Sequence, residues 1–150
     1  MRHPQVFLSP ALLLLDACGP AIPDGAMEAV IACDVAHEDP LIVTGARVTE
    51  PDRLEVTVSY GGGCKTHAFY ACWDGAFLEN DPAIFSEANP PRAAITLGHD
   101  AKGDGCEAEE TATLPFWLTP LREAYAASHD NGATRLVLLL GDQSVQYPFP

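Results

Sequence analysis

Apolar and polar residues alternate along much of the chain beyond residue 40, and this pattern predicts β-strands. The clearest example is RLEVTVSY (53–60), in which every second side chain is apolar, as expected for a sheet with one face in water. LIVTGARV (41–48) precedes it across the turn-rich TEPD, so the two segments predict a hairpin. Five further strands are predicted at THAFYACW (66–73), AAITLGH (93–99), TATLPFWL (111–118), TRLVLLL (134–140) and SVQYPF (144–149).

A helix is predicted in the segment LTPLREAYAASHDNG (118–132). Thr119 can cap it, Pro120 fits its first position, and Leu121 with Tyr125 would form an apolar stripe. The helix lies between the fifth and sixth predicted strands and would serve as a crossover. The chain is therefore predicted to be mainly β, as an antiparallel β-sandwich or partly open barrel of about seven strands with one crossover helix.

Length and composition fit one packed domain with an acidic surface. The chain has 150 residues, of which 47% are hydrophobic and 19% charged. Its 21 acidic and 8 basic side chains give a formal net charge of −13. A field of this sign repels nucleic-acid phosphates and anionic headgroups, so no nucleic-acid partner is predicted. Cations and basic partners are favoured, although a solvated acidic surface explains the charge equally simply.

The N-terminus has the features of a secretory signal. Arg2 and His3 precede the mostly apolar run VFLSPALLLL (6–15). That run is too short to span a bilayer and has the length of the apolar part of a signal peptide. A buried N-terminal helix is the alternative interpretation of the same residues.

The apolar run ends in LDAC, which resembles the lipobox of bacterial lipoproteins. Leu15, Ala17 and Cys18 match that motif, whereas Asp16 replaces a residue that is normally small or uncharged. The resemblance implies that residues 1–17 are a lipoprotein-type signal peptide and that Cys18 is acylated. Residues 18–40 would then be the acylated cysteine and its tether, and residues 41–150 the β-rich domain.

Four cysteines remain when Cys18 is set aside. An even number in an exported chain predicts two disulfides, and four cysteines allow three connectivities, between which the count does not choose. The cysteines are Cys33, Cys64, Cys72 and Cys106.

The stretch YGGGCKTH (60–67) places three glycines directly before a cysteine, a lysine and a histidine. A phosphate-binding P-loop needs Lys immediately after its last glycine and a helix behind it, but Cys64 intervenes here and a strand follows. The glycines are therefore predicted to form a bulge or sharp corner. A Cys64–His67 nucleophile pair would lie on one short segment, and no complete set of acid, base and nucleophile emerges. The chain is therefore predicted not to be an enzyme.

Two histidines and two cysteines are predicted to meet at one end of a sheet. His67 opens the third predicted strand and His99 closes the fourth, so antiparallel pairing would make them neighbours. Cys64 and Cys106 would fall just beyond the same end. Because thiols pair outside the cytoplasm, this convergence favours a Cys64–Cys106 disulfide, which leaves Cys33 with Cys72 by elimination.

The same convergence has a metal-binding interpretation. Two thiolates and two imidazoles suit tetrahedral zinc or copper, with Cys64, Cys106, His67 and His99 as the ligands. A hybrid interpretation keeps the disulfide and lets the two histidines bind the metal with an acid, either Asp100 or Asp104.

Several short motifs resemble a combination found in uncharacterised bacterial lipoproteins. They are YGGGCKTH (60–67), the pair His99-Asp100, DGCEA (104–108) and LTPL (118–121). The resemblance implies an exported protein of the bacterial cell envelope, lipid-anchored on the periplasmic side of a membrane or at the cell surface, and it supplies no catalytic residue. We therefore expect a disulfide-stabilised β-rich domain with a binding or structural role toward a protein or small molecule. A metal-binding envelope lipoprotein is the alternative.

Overall fold

The computed structural model describes residues 28–78, 90–128 and 134–148. The expected signal peptide, Cys18 and the first part of the tether lie outside the described residues. The elements, in chain order, are β1 (Glu28–Ala29), β2 (Ile31–Ala32), β3 (Leu41–Glu50), β4 (Arg53–Gly62), β5 (Ala68–Leu78), β6 (Arg92–Asp100), β7 (Ala108–Trp117), α1 (Thr119–Ser128), β8 (Arg135–Leu140) and β9 (Gln143–Pro148).

The strands form two sheets that pack into a sandwich, so the predicted mainly-β sandwich is confirmed. The first sheet has the order β1-β7-β4-β3 and the second β2-β5-β6-β8-β9. Both sheets are mixed, whereas the sequence predicted antiparallel pairing throughout. In the second sheet β8 runs parallel to β6, because the chain passes through β7 and the crossover helix α1 before it returns. The seven long strands are those predicted, within three residues at each end except that β5 continues to Leu78, five residues beyond its predicted end.

Alternating burial within the strands builds the core between the two sheets. In β4 every second residue from Leu54 to Tyr60 is buried, and the residues between them are only partly buried. β8 contributes Leu136, Leu138 and Leu140 from the opposite sheet in the same way. The polar–apolar period of two along the sequence therefore decided which side of each strand faces the core.

Residues 28–32 belong to both sheets. Glu28 and Ala29 pair in parallel with the end of β7, and Ile31 and Ala32 pair in parallel with the middle of β5. Val30, between the two pairs, is completely buried. This segment forms a pair of very short edge strands. Residues that the sequence analysis assigned to the tether are thus packed against the domain.

A buried aspartate positions the helix. Asp52 lies in the tight turn between β3 and β4 with φ = 63°, and its carboxylate accepts hydrogen bonds from Arg122 (2.9 Å), Thr119 (3.2 Å) and Tyr147. Its backbone carbonyl accepts a bond of 2.7 Å from Leu118 N. Burial, together with the adjacent Asp52 carboxylate, raises the pKa of Tyr147. These contacts join the first turn of α1 to both sheets.

The helix α1 is ten residues long and buries Leu121 and Tyr125. In the described part of the chain, no helix has both the length and the apolar character needed to cross a bilayer.

Candidate functional site

The two histidines meet where β5 begins and β6 ends. Antiparallel pairing sets Phe69 opposite His99 and Ala68 opposite Asp100, which brings His67, one residue before β5, beside His99. His67 Nδ1 lies 2.8 Å from His99 Nε2. Both side chains are buried, with the His67 side chain 1% exposed and His99 also 1% exposed. The predicted meeting of the two histidines therefore occurs, but inside the protein rather than in an open cleft.

Asp104 closes the cluster on the side of His67. Its Oδ2 accepts hydrogen bonds from Cys64 N and Lys65 N, both 2.9 Å, and lies 3.1 Å from His67 Nε2. Its Oδ1 accepts a bond of 3.0 Å from Cys106 N. The bond from Cys106 N–H, followed by those from Cys64 N–H, the His67 ring and Lys65 N–H, holds the pKa of Asp104 well below its usual range against the opposing effect of burial. The carboxylate is therefore ionised and already has its donors.

Of the two acids suggested as metal ligands, Asp104 is the one that contacts a histidine. Asp100 Oδ1 instead accepts a hydrogen bond of 2.8 Å from Lys102 N, so this carboxylate caps its own loop.

The four described cysteines form two disulfides. Cys64 is bonded to Cys106, with 5.9 Å between their Cα atoms, and Cys33 to Cys72, with 5.1 Å. Both pairings agree with those favoured from the sequence. Because the sulfurs of Cys64 and Cys106 are bonded to each other, they are not available as thiolate ligands, and the alternative site with two thiolates and two imidazoles is not formed.

The glycine corner gives His67 its space. Gly62 and Gly63 have φ angles of 151° and 107°, which favour glycine. A Cβ on Gly62 would lie 2.6 Å from His67 Nε2 and 3.1 Å from Asp104 Oδ2. The predicted corner is present, and its second glycine lets the backbone approach the imidazole and the carboxylate closely.

Residues 33–40, here called the strap, cover His99 from the other side. His99 Nδ1 lies 3.2 Å from both the Asp39 and the Pro40 carbonyl oxygens. The backbone of His99 also accepts a hydrogen bond from Asp39 N and donates one to His37 O. The strap backbone thus pairs with the end of β6, beyond the residues that pair with β8.

Tyr70 forms hydrogen bonds with the backbone in the middle of the strap. Its hydroxyl accepts hydrogen bonds from Ala36 N (2.8 Å) and His37 N (2.6 Å). The ring lies over Gly98, its partner across β5 and β6, where any side chain would collide with it. This contact was not predicted from the sequence. The one indication of the contact in the sequence is a tyrosine in β5 opposite a glycine in β6.

Aromatic rings enclose the histidines. Phe69 stacks on His99 with ring centroids 4.8 Å apart and planes 2° from parallel. The Tyr60 ring lies 5.0 Å from that of His67 and 5.3 Å from that of His99. Burial, with a smaller effect of the nearby Glu110 charge, raises the pKa of Tyr60. The cluster is therefore a closed, hydrogen-bonded and aromatic-lined group.

The geometry of the two histidines does not fit a metal ion held by both. Zinc–nitrogen bonds of about 2.0–2.1 Å at a tetrahedral angle would separate the two ligand nitrogens by about 3.3 Å. His67 Nδ1 and His99 Nε2 are 2.8 Å apart, which is a hydrogen-bond distance. The nitrogen on the far side of each ring already faces Asp104 or the strap carbonyls.

Comparisons with known proteins give little guidance. No protein-family model matches the sequence, and no curated protein sequence matches it either. Among solved structures, one similar fold is that of a NigD-like immunity protein from Bacteroides caccae, with a TM-score of 0.47 and 17% identity. The match covers 81% of this chain and 59% of that protein, so this chain spans less than two thirds of its length. These values are too low to carry a functional assignment.

Proposed function

We propose that this protein is an exported bacterial lipoprotein, anchored to a membrane of the cell envelope through an acylated Cys18. Its β-sandwich would act by binding or by a structural role, not by catalysis. The partner would be a protein or small molecule, and the net charge of −13 favours one that carries positive charge.

The pattern of cysteine pairing is the observation that carries this proposal. Disulfides persist in oxidising compartments and are rare in the bacterial cytoplasm. The cysteines in the described part of the chain pair with one another, which leaves Cys18 for acylation. Cys18 also follows the apolar run and the Leu15-x-Ala17 spacing of a lipobox.

The closed histidine cluster supports a non-catalytic role. A catalytic imidazole must reach a substrate, whereas His67 and His99 are buried and use their nitrogens on protein partners. Cys64, the nearest candidate nucleophile, is bonded to Cys106. We therefore assign no catalytic residue, and we regard the cluster as a structural centre that joins loops at one end of the sandwich.

Metabolic labelling with a tagged fatty acid tests the anchor. The full chain is expressed in a bacterium with a complete lipoprotein pathway, and incorporation is compared between wild type and Cys18→Ala. We expect label in the membrane fraction for wild type and none for Cys18→Ala. Asp16→Ser provides a matched control, because it removes the unusual charge from the lipobox-like motif and should keep or increase the label. An unlabelled wild-type protein, or label that persists in Cys18→Ala, would contradict the proposal.

A further inference from the structure

We propose that His67 and His99 share one proton, so that the pair carries a positive charge buried beside the Asp104 carboxylate. The proposal follows from counting donors and acceptors around the two rings. It is independent of the membrane anchor, so either can fail without the other.

The outer nitrogen of His99 must carry a proton. Nδ1 lies 3.2 Å from the carbonyl oxygens of both Asp39 and Pro40. Carbonyl oxygens are acceptors, so Nδ1 must be the donor. If His99 were neutral, its Nε2 would then hold a lone pair.

The outer nitrogen of His67 must also carry a proton. Nε2 lies 3.1 Å from Asp104 Oδ2. That carboxylate accepts backbone N–H groups from Cys64, Lys65 and Cys106 and is ionised, so it has no proton to give. His67 Nε2 is therefore the donor, and in a neutral ring Nδ1 would hold a lone pair.

Two neutral rings would thus turn lone pairs toward each other at 2.8 Å, which is repulsive. One additional proton between His67 Nδ1 and His99 Nε2 turns this repulsion into a charge-assisted hydrogen bond of ordinary length. A metal ion could also bridge two lone pairs, but the nitrogens are too close for one. The distance between the two nitrogens therefore fits a shared proton.

Among the described residues, one negative charge, that of Asp104, lies in contact with the histidine pair. The loop between β6 and β7 (residues 101–107) provides Asp104, which is hydrogen-bonded to His67. The strap provides Asp39, whose carboxylate accepts a bond of 2.7 Å from Ala101 N. β4 provides Tyr60, whose ring lies beside that of His67. β7 provides Glu110, whose negative charge helps to raise the pKa of Tyr60. Among the described cations, Lys65 Nζ binds the carbonyls of Lys102 and Gly103, so its ammonium group does not compete for the Asp104 carboxylate.

The shared proton would connect the strap to the loop between β6 and β7. One continuous chain of hydrogen bonds runs from the strap carbonyls through His99 and His67 to Asp104 and the disulfide-linked loop. Loss of the central proton would leave facing lone pairs, so at least one link in this chain would have to break.

Nitrogen-15 NMR of the imidazole groups in the oxidised, chelator-treated full chain tests the proposal near neutral pH. We expect three imidazole N–H protons from His67 and His99 together, one of them coupled to nitrogens of both rings. Two protons, or three without coupling between the rings, would overturn it. Added zinc should leave the three signals in place, and their replacement by metal-shifted nitrogens would also overturn it.

Two variants sharpen the test. Asp104→Asn removes the compensating charge, so the central proton signal should be weakened or lost relative to wild type under the same conditions. His37→Gln changes an exposed histidine of the strap and should leave all three signals unchanged. If Asp104→Asn does not fold, the wild-type spectrum still decides the question, because the proton count is read from it directly.

Discussion

Gly62→Ala should disrupt the histidine cluster, whereas Gly61→Ala, one residue earlier, should not. The Gly62 backbone has φ = 151°, and an added Cβ would lie 2.6 Å from His67 Nε2. Gly61 is exposed, and a Cβ there would have no atom within 4 Å. The two substitutions add the same methyl group to neighbouring residues of one strand, so they form a closely matched pair.

The expected magnitude for Gly62→Ala combines two costs. An unfavourable backbone conformation for a residue with a side chain costs about 1–3 kcal/mol, and insertion of a methyl group into a packed site costs about 1–3 kcal/mol. We therefore expect the free energy of unfolding to fall by about 2–6 kcal/mol. Gly61→Ala should change it by less than about 0.5 kcal/mol, as for other open surface positions.

Urea denaturation with the disulfides intact measures both free energies. A His67→Ala background provides the decisive comparison, because removal of the ring removes the two closest atoms that the new Cβ would meet. Gly62→Ala should then cost clearly less than it does in wild type, since directly coupled residues are not additive. Equal stability of the Gly61 and Gly62 variants, or an unchanged cost without the His67 ring, would refute the reasoning.

Three further predictions concern the residues around the cluster. The pKa of Asp104 is lowered in the folded protein, so the stability it contributes is present above its unfolded pKa of about 4 and is lost as the pH falls further. Asp104→Asn should therefore flatten the acid side of a profile of unfolding free energy against pH. An unchanged profile would count against this. Tyr70→Phe removes the hydroxyl that binds the strap amides, and hydrogen exchange should show lost protection there with a stability change of about 0.5–1.5 kcal/mol, whereas unchanged protection would exclude this contact. Replacing Cys33 and Cys72 together by serine opens a disulfide-closed loop of 39 residues and should lower the free energy of unfolding, measured with heat or urea, by about 4 kcal/mol. A decrease below about 1 kcal/mol would show that this disulfide does not stabilise the sandwich.

The strands could be predicted because burial leaves a local record in the sequence. β4 alternates between apolar and polar residues since one of its faces forms the core, and the bounds of the long strands follow from that record. The meeting of His67 with His99 needed one further assumption, antiparallel pairing of β5 and β6, which fixes the residues that lie opposite each other. The Cys64–Cys106 pairing followed from the same geometry.

The contacts of isolated polar residues could not be predicted in this way. Asp104 was one acid among several in an acidic loop, and its role depends on backbone N–H groups that converge only in the folded chain. Asp52 lies within the predicted turn TEPD, but its partners Arg122 and Tyr147 are 70 and 95 residues away in sequence. No periodic pattern records contacts of this kind, since each depends on a single side chain.

The strap and the strands β1 and β2 could not be predicted from the sequence for a related reason. β1 and β2 are two residues each, too short for an alternation to be recognised. Their pairing is set by strands of both sheets, between which Val30 is buried. Tertiary contacts, and not local sequence preference, decide the conformation of this segment.

Mass spectrometry of the full chain, expressed in a bacterium and purified from its envelope fraction, tests the proposed function most directly. Non-reducing peptide mapping and the mass of the N-terminal peptide would be measured on the same sample. The account predicts an N-terminal peptide that begins at an acylated Cys18, together with the linked pairs Cys33–Cys72 and Cys64–Cys106. A chain that retains residues 1–17 without a lipid, or that carries Cys64 and Cys106 as free thiols, would contradict it.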